Sequence, residues 1–340
     1  MTPEYTNFVP PHPRFHLATL PTPLERAPRL EAALRDEGCE RVPRIYLKRD
    51  DLLSLGMGGN KIRNLEFSIG QALAEGATDV VTSGREQSNH CRLTAAACAR
   101  AGLRVHLVFS GYPAPRPSGN LLLDGLLGAK LYYACSDERE RREAWVSMLT
   151  GGFEALGRRA FVIPVGGSDA RGALGHALAA LELKRQCDAI GEHLDAIVLA
   201  TATGGTQAGM LAGLSKLGAP VRVYGFAVAK SAAELSATVL GIANDVAREI
   251  ETGAVGADAV RIDGSMLGDG YGAPSAAGDA ASLLLARSEG VFTDPVYTGK
   301  GLAGLLSLVR AGAFAADACV VFIHTGGAPA IFADSHIAEL

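Results

Sequence analysis

The chain has 340 residues, 48% of them hydrophobic, a mean hydropathy of +0.17, and 32 basic against 36 acidic side chains for a net charge of −4. Such a chain buries a substantial core and has room for two domains, which excludes a disordered protein. Its basic residues are scattered without a run, which argues against a nucleic-acid partner.

In chain order, the sequence predicts a proline-punctuated arm, a short helix over 24–37 and a strand over 44–48. Further strands are expected over 79–82, 104–109, 130–133, 159–164, 196–200, 221–226 and 318–324, alternating with alanine-rich helices. That alternation is the pattern of an α/β fold with open, mostly parallel sheets flanked by helices. The glycine-rich turn from Gly166 to Gly172 reads as a crossover back into a second sheet, and 254–277 reads as a long loop able to cover a site. The expected domains are 1–57 with 175–340 as the large one and 58–174 as the small one.

Glycines cluster at predicted strand ends, at Gly84, Gly166-Gly167, Gly204-Gly205 and Gly326-Gly327. Ligands of open parallel sheets bind beyond the carboxyl ends of the strands, so these separated segments point at one crevice. The six cysteines, at 39, 91, 98, 135, 187 and 319, form no CxxC pair and no metal-ligand spacing with the eight histidines, so no metal site is expected. Reduced thiols, an N-terminus without an apolar leader core and the lack of a long apolar run make the cytoplasm the expected location and a membrane partner unexpected.

Three segments carry chemistry. After the strand ending near Ala200, Thr201-Ala202-Thr203-Gly204-Gly205-Thr206-Gln207 leads into a helix. Bare backbone N–H groups, threonine hydroxyls and a helix N-terminus make a phosphate cradle, or else a plain tight turn. It has neither GxGxxG nor GxxxxGK[ST], which favours a smaller phosphate ligand over NAD or ATP. Lys61, delivered by Gly58-Gly59-Asn60 to a helix start, would alone be an exposed lysine; beside a phosphate cradle it becomes a candidate nucleophile whose desolvation frees the amine for an imine. Gln87-Ser88-Asn89-His90 offers an N-cap or, at the same helix N-terminus, a carboxylate site. The adjacent His90 and Cys91 are not expected to converge as a dyad.

Together with Leu47-Lys48-Arg49-Asp50-Asp51 and Asp294-Pro295-Val296-Tyr297-Thr298-Gly299-Lys300, these segments resemble pyridoxal-phosphate enzymes of the tryptophan synthase β type, fold type II. The group they are most similar to contains D-cysteine desulfhydrase, L-cysteate sulfo-lyase and 1-aminocyclopropane-1-carboxylate deaminase. The resemblance implies pyridoxal 5'-phosphate as cofactor, Lys61 as the Schiff-base residue, and cofactor contacts from Asn60, Asn89, Thr203, Gly204, Gly205, Thr206 and Thr325. It implies that Ser88, Asn89, His90, Tyr271 and Tyr297 face a small amino-acid substrate, with Ser88 moving a proton, and that the protein is a homodimer. A threonine at the pyridine nitrogen favours elimination over transamination. Arg85 and Glu86 depart from the small or apolar residues usual there; they form a surface pair or, alternatively, Arg85 meets an anionic substrate group that Glu86 orients. His90 and Thr298 stand where the cyclopropane deaminases carry glutamine and glutamate, so the resemblance favours D-cysteine, then cysteate. A non-enzymatic ligand sensor is the weakest reading.

Overall fold

The structure, a computed structural model, describes residues 8–333; the outer ends of the expected large domain, 1–7 and 334–340, lie outside the described residues. Two sheets organise it. The six-stranded sheet has the order β1 (Leu24–Arg26), β2 (Arg44–Arg49), β10 (Cys319–His324), β7 (Leu194–Thr201), β8 (Arg222–Ala227) and β9 (Arg261–Asp263). Only β1 runs antiparallel, pairing Leu24 with Lys48. The second sheet is wholly parallel, in the order β5 (Lys130–Tyr133), β4 (Arg104–Phe109), β3 (Asp79–Gly84) and β6 (Ala160–Val162). The central strands β3 and β10 are buried at every position, as expected for strands covered on both faces.

Two expected elements are corrected. The helix over 24–37 is instead the edge strand β1 followed by α1 (Pro28–Asp36). Pro28 sets the start, since proline lacks the N–H that a helix interior needs and suits its first turn. Within the expected loop 254–277 lies β9, a sixth strand of only three residues and so too short to show a period.

The helix α2 (Lys61–Ala74) joins the two sheets, packing on both α3 (Asn89–Ala101) and α6 (Ala170–Ala189). Arg63 on α2 donates to Asp50 at 2.7 and 2.9 Å and to Glu182 of α6 at 2.9 and 3.1 Å. Lys48 of β2 donates to Glu182 and, at 2.8 Å, to the Thr22 carbonyl. All four charged groups are buried. Burial by itself would raise the Asp50 and Glu182 carboxyls, but Arg63 overcomes it and holds both below the usual carboxylate range. Asn64, adjacent on the helix, donates to the Gly167 carbonyl at 2.9 Å, and its Oδ1 lies 2.9 Å from His176 Nε2. The arm is tied to the same helix: the N–H groups of Leu17 and Ala18 donate to Glu66 at 2.8 and 2.9 Å.

Removing one member of a buried ionic set leaves an uncompensated charge, so Glu182→Gln is expected to cost about 3–5 kcal/mol of unfolding free energy in urea titration at neutral pH. Because both carboxyls have depressed pKa values, their contribution is present above the ordinary carboxylate range and is lost as pH falls through their folded values. The difference between wild type and variant should therefore shrink in acid; a difference that grows there contradicts the assignment.

Candidate active site

A cavity of about 310 Å³ opens at the carboxyl ends of β3, β7, β8 and β10. Its lining includes Lys61, Asn60, Arg85, Ser88, Asn89, His90, Thr203, Gly204, Thr206, Tyr271, Tyr297 and Thr325. Of the cofactor contacts expected from sequence, Gly205 is not on this wall; it is the buried first residue of α7 (Gly205–Lys216).

Lys61 is placed by the three residues before it. Gly58 has φ +76°, and a Cβ there would lie 1.9 Å from the Asp51 carbonyl oxygen, so only glycine fits the turn. Gly59 N–H donates to the Asp50 carbonyl at 3.1 Å and Asn60 N–H to the Thr325 carbonyl at 3.0 Å. The Lys61 ammonium has no hydrogen-bond partner among the described residues, and burial lowers it from 10.5 to about 8.

The opposite wall is an anion cradle. Gly204, at φ +91°, lets the chain turn directly into α7, and no side chain caps that helix. First-turn N–H groups have no partner within a helix, so those of Gly205 and Thr206 remain available to an anion at its positive end. Asn60 Nδ2 donates to Thr206 Oγ1 at 2.8 Å, which leaves the Thr206 proton free to be donated. Thr203 Oγ1 is 2.6 Å from Ser168 Oγ. Lys230, also on the wall, adds positive charge.

The third wall is the start of α3. Ser88 caps it, its Oγ accepting from Cys91 N–H at 3.2 Å. Asn89 Oδ1 accepts from Asn120 Nδ2 at 2.9 Å. Thr82 donates to the Ile163 carbonyl at 2.7 Å, so His90 Nε2, 2.9 Å from Thr82 Oγ1, must carry the proton. Burial, then the nearby Lys61 charge, drop His90 to about 3, and it is neutral at physiological pH. Cys91 is buried off the cavity, with its thiol pushed up to about 12 by burial. That excludes it as a thiolate nucleophile.

Tyr271 and Tyr297 close the site. Their hydroxyls hydrogen-bond to each other and their rings meet edge-on, 5.9 Å between centroids. Burial raises both phenols, Tyr297 well above its usual value, so both are protonated. The Arg85 guanidinium lies 5.6 Å from the Tyr271 ring centre and 3.5 Å from Asp137. Glu86 is not on this wall; its Oε1 accepts from Ala114 N–H at 3.1 Å and braces the neighbouring loop. Thr298 is likewise off the wall, its hydroxyl spent on Asp294 at 2.6 Å.

The sequence reading did not find Arg142 or Lys230, both of which line the cavity. Arg142 lies in the charged stretch Arg139-Glu140-Arg141-Arg142-Glu143, where nothing distinguishes it. Lys230 follows β8, and its place beyond a strand's carboxyl end was a usable signal. No group of three His, Cys, Asp or Glu residues able to hold a metal occurs among the described residues, and no helix there is long and apolar enough to cross a membrane.

A half-buried lysine without a hydrogen-bond partner, facing an uncapped helix N-terminus and a threonine that keeps a proton to donate, suits an aldehyde cofactor that bears a phosphate. The comparisons agree. Residues 16–326 match the family model for pyridoxal-phosphate dependent enzymes, and the chain belongs to that family. It is 41% identical over 326 residues to D-cysteine desulfhydrase of Salmonella newport, covering 94% of this chain and 96% of that protein. Among solved structures it is similar to an ACC deaminase homologue, with TM-score 0.88 and 31% identity, covering 98% of this chain and 97% of that one. It shares its fold with an L-serine ammonia-lyase of Rhizomucor miehei, with TM-score 0.67 and 19% identity over 95% of this chain and 98% of that one. The protein is a pyridoxal-phosphate-dependent lyase.

Since only the neutral amine attacks an aldehyde, the rate at which the apoprotein takes up pyridoxal phosphate should rise with pH and level off above a midpoint of about 8. A rising limb centred near 10 contradicts the buried lysine. Lys61→Ala should lose the visible Schiff-base band entirely.

Proposed function

We propose that the protein catalyses β-elimination from a small three-carbon amino acid, D-cysteine first, giving sulfide, pyruvate and ammonia. The likeness to D-cysteine desulfhydrase across 94% of the chain carries this reading. The gathering of Lys61, the anion cradle and two phenols round one cavity supports it.

Bound at Lys61, pyridoxal phosphate supplies the electron sink for bond cleavage at the substrate's Cα. The N–H groups of Gly204, Gly205 and Thr206 and the hydroxyls of Thr203 and Thr206 hold the phosphate, with Lys230 balancing its charge. Asn60 braces this cradle, and Asn89 and Thr325, both on the cavity wall, would hold the cofactor ring through its polar atoms. The start of α3, with Ser88, Asn89 and His90, takes the substrate carboxylate. Ser88 Oγ accepts from the Cys91 amide, so its own proton is free to move; Ser88 and Lys61 Nζ handle the α-proton. The Tyr271–Tyr297 pair, kept protonated by burial, donates to the departing sulfur. On this reading residues 58–174 form the small domain that carries Lys61, and the described parts of 1–57 and 175–340 the large one. The protein works as a cytoplasmic homodimer, with exposed Leu122 and Leu126 supplying apolar surface for the second copy.

A second reading, L-cysteate sulfo-lyase, has its own support. Arg85 and Arg142 both line the cavity, and Arg142 Nε is buried without a partner. Two guanidiniums suit a sulfonate.

The test is turnover with D-cysteine, L-cysteine, L-cysteate and the cyclopropane amino acid, following pyruvate, sulfide and sulfite. Sulfide with pyruvate from D-cysteine is expected, and Ser88→Ala and Tyr297→Phe should each lower kcat about 10²-fold or more. Sulfite from L-cysteate without sulfide from D-cysteine transfers the assignment to the second reading.

A further inference from the structure

Lys300 ends the Asp294–Lys300 motif, yet it does not line the cavity. It is completely buried in the first turn of α10 (Thr298–Arg310), three residues after Tyr297. Among the described residues no carboxylate lies within ion-pair distance of it. Its Nζ donates instead to the Leu267 carbonyl at 2.8 Å and to the Gly270 carbonyl at 3.4 Å. Burying an ammonium against neutral carbonyls alone is costly, and the opposing fields of Asp269 and Asp279 only partly offset it.

Those two carbonyls belong to the segment 264–275, which lacks helix and strand and turns through Gly268, Gly270 and Gly272, all at positive φ. Such a segment has wide conformational freedom, and fixing it needs contacts. Tyr271 sits directly after the second acceptor. Its ring has Arg85 on one side, and its hydroxyl meets Tyr297. The helix start that carries Tyr297 therefore also grips the loop that carries Tyr271.

We propose that Lys300 is a positioning residue: by tying the Leu267 and Gly270 carbonyls to the start of α10, it registers Tyr271 against Tyr297 over the cavity. The catalytic part of this inference rests on Tyr271 being a site residue, as read above. The mechanical part does not.

The experiment compares holoenzymes of wild type, Lys300→Met, Tyr271→Phe and the double variant. Methionine keeps the buried stem and removes every donor; Lys300→Gln, which keeps a shorter N–H donor, replaces it should the methionine protein not fold. By hydrogen exchange with mass spectrometry, peptides spanning 264–275 are expected to exchange about tenfold faster in Lys300→Met, with α10 itself unchanged. The visible cofactor band should hold, since Lys300 is off the cavity. With D-cysteine, or whichever substrate turns over, KM should rise about tenfold with a smaller change in kcat. In the Tyr271→Phe background the Lys300 substitution should add little, because both act through one phenol. Unchanged exchange in 264–275 overturns the latch whatever the kinetics. Faster exchange with fully additive kinetic losses overturns its action through Tyr271. An inert Tyr271→Phe, with faster exchange in Lys300→Met, discards the catalytic reading of Tyr271 and leaves the latch standing.

Discussion

Four buried charges behind Lys61 set the geometry of this protein. Lys48 comes from β2, Asp50 from the turn that follows it, Arg63 from the first turn of α2 and Glu182 from α6. Two positive and two negative groups cancel, so the set is tolerable only when all are present. A buried ionic set adds little net stability over an apolar core, but it penalises each arrangement in which a member is unpaired. Arg63 lies two residues beyond Lys61, and the Asp50 carbonyl holds Gly59. The direction in which Lys61 enters the cavity follows from that pairing.

Around Lys61 the protein removes charge rather than adding it. Burial keeps His90 and His176 neutral, keeps both tyrosines protonated and lowers the still largely charged lysine to about 8. The positive field left in the cavity comes from groups meant to meet anions: the start of α7, Lys230, Arg85 and Arg142. Such a site suits a ligand with one anionic phosphate and a substrate with one or more anionic groups. It also suits chemistry in which protons move between groups of shifted affinity.

Much of this could be read along the chain. The alternation of strands and helices announces the α/β class because the central strands are covered on both faces and so are rich in apolar residues at successive positions. The Gly58-to-Lys61 turn and the Thr203-to-Thr206 loop are legible because backbone that must approach an anion, or pass a carbonyl so closely that a Cβ would lie 1.9 Å from its oxygen, admits only glycine. Arg142 gave no signal, since its role comes from where α5 (Arg139–Ala155) lies relative to Ser110, to which it donates at 2.8 Å. Glu86, read along the chain as half of a surface pair or as orienting Arg85, accepts instead from the Ala114 amide, a contact that only the folded loop supplies.

The sequence by itself determined the fold class, the lysine, the cradle and the helix start that faces them, because each is a local pattern enforced by backbone sterics and hydrogen bonding over a few residues. Only the tertiary structure decided which of these share a cavity and which charged residues stand over it. It alone set the tyrosines edge to edge, 26 positions apart in sequence, and put Lys300 beneath the Tyr271 loop. Those relations depend on distances between elements whose spacing the chain leaves open until the core packs.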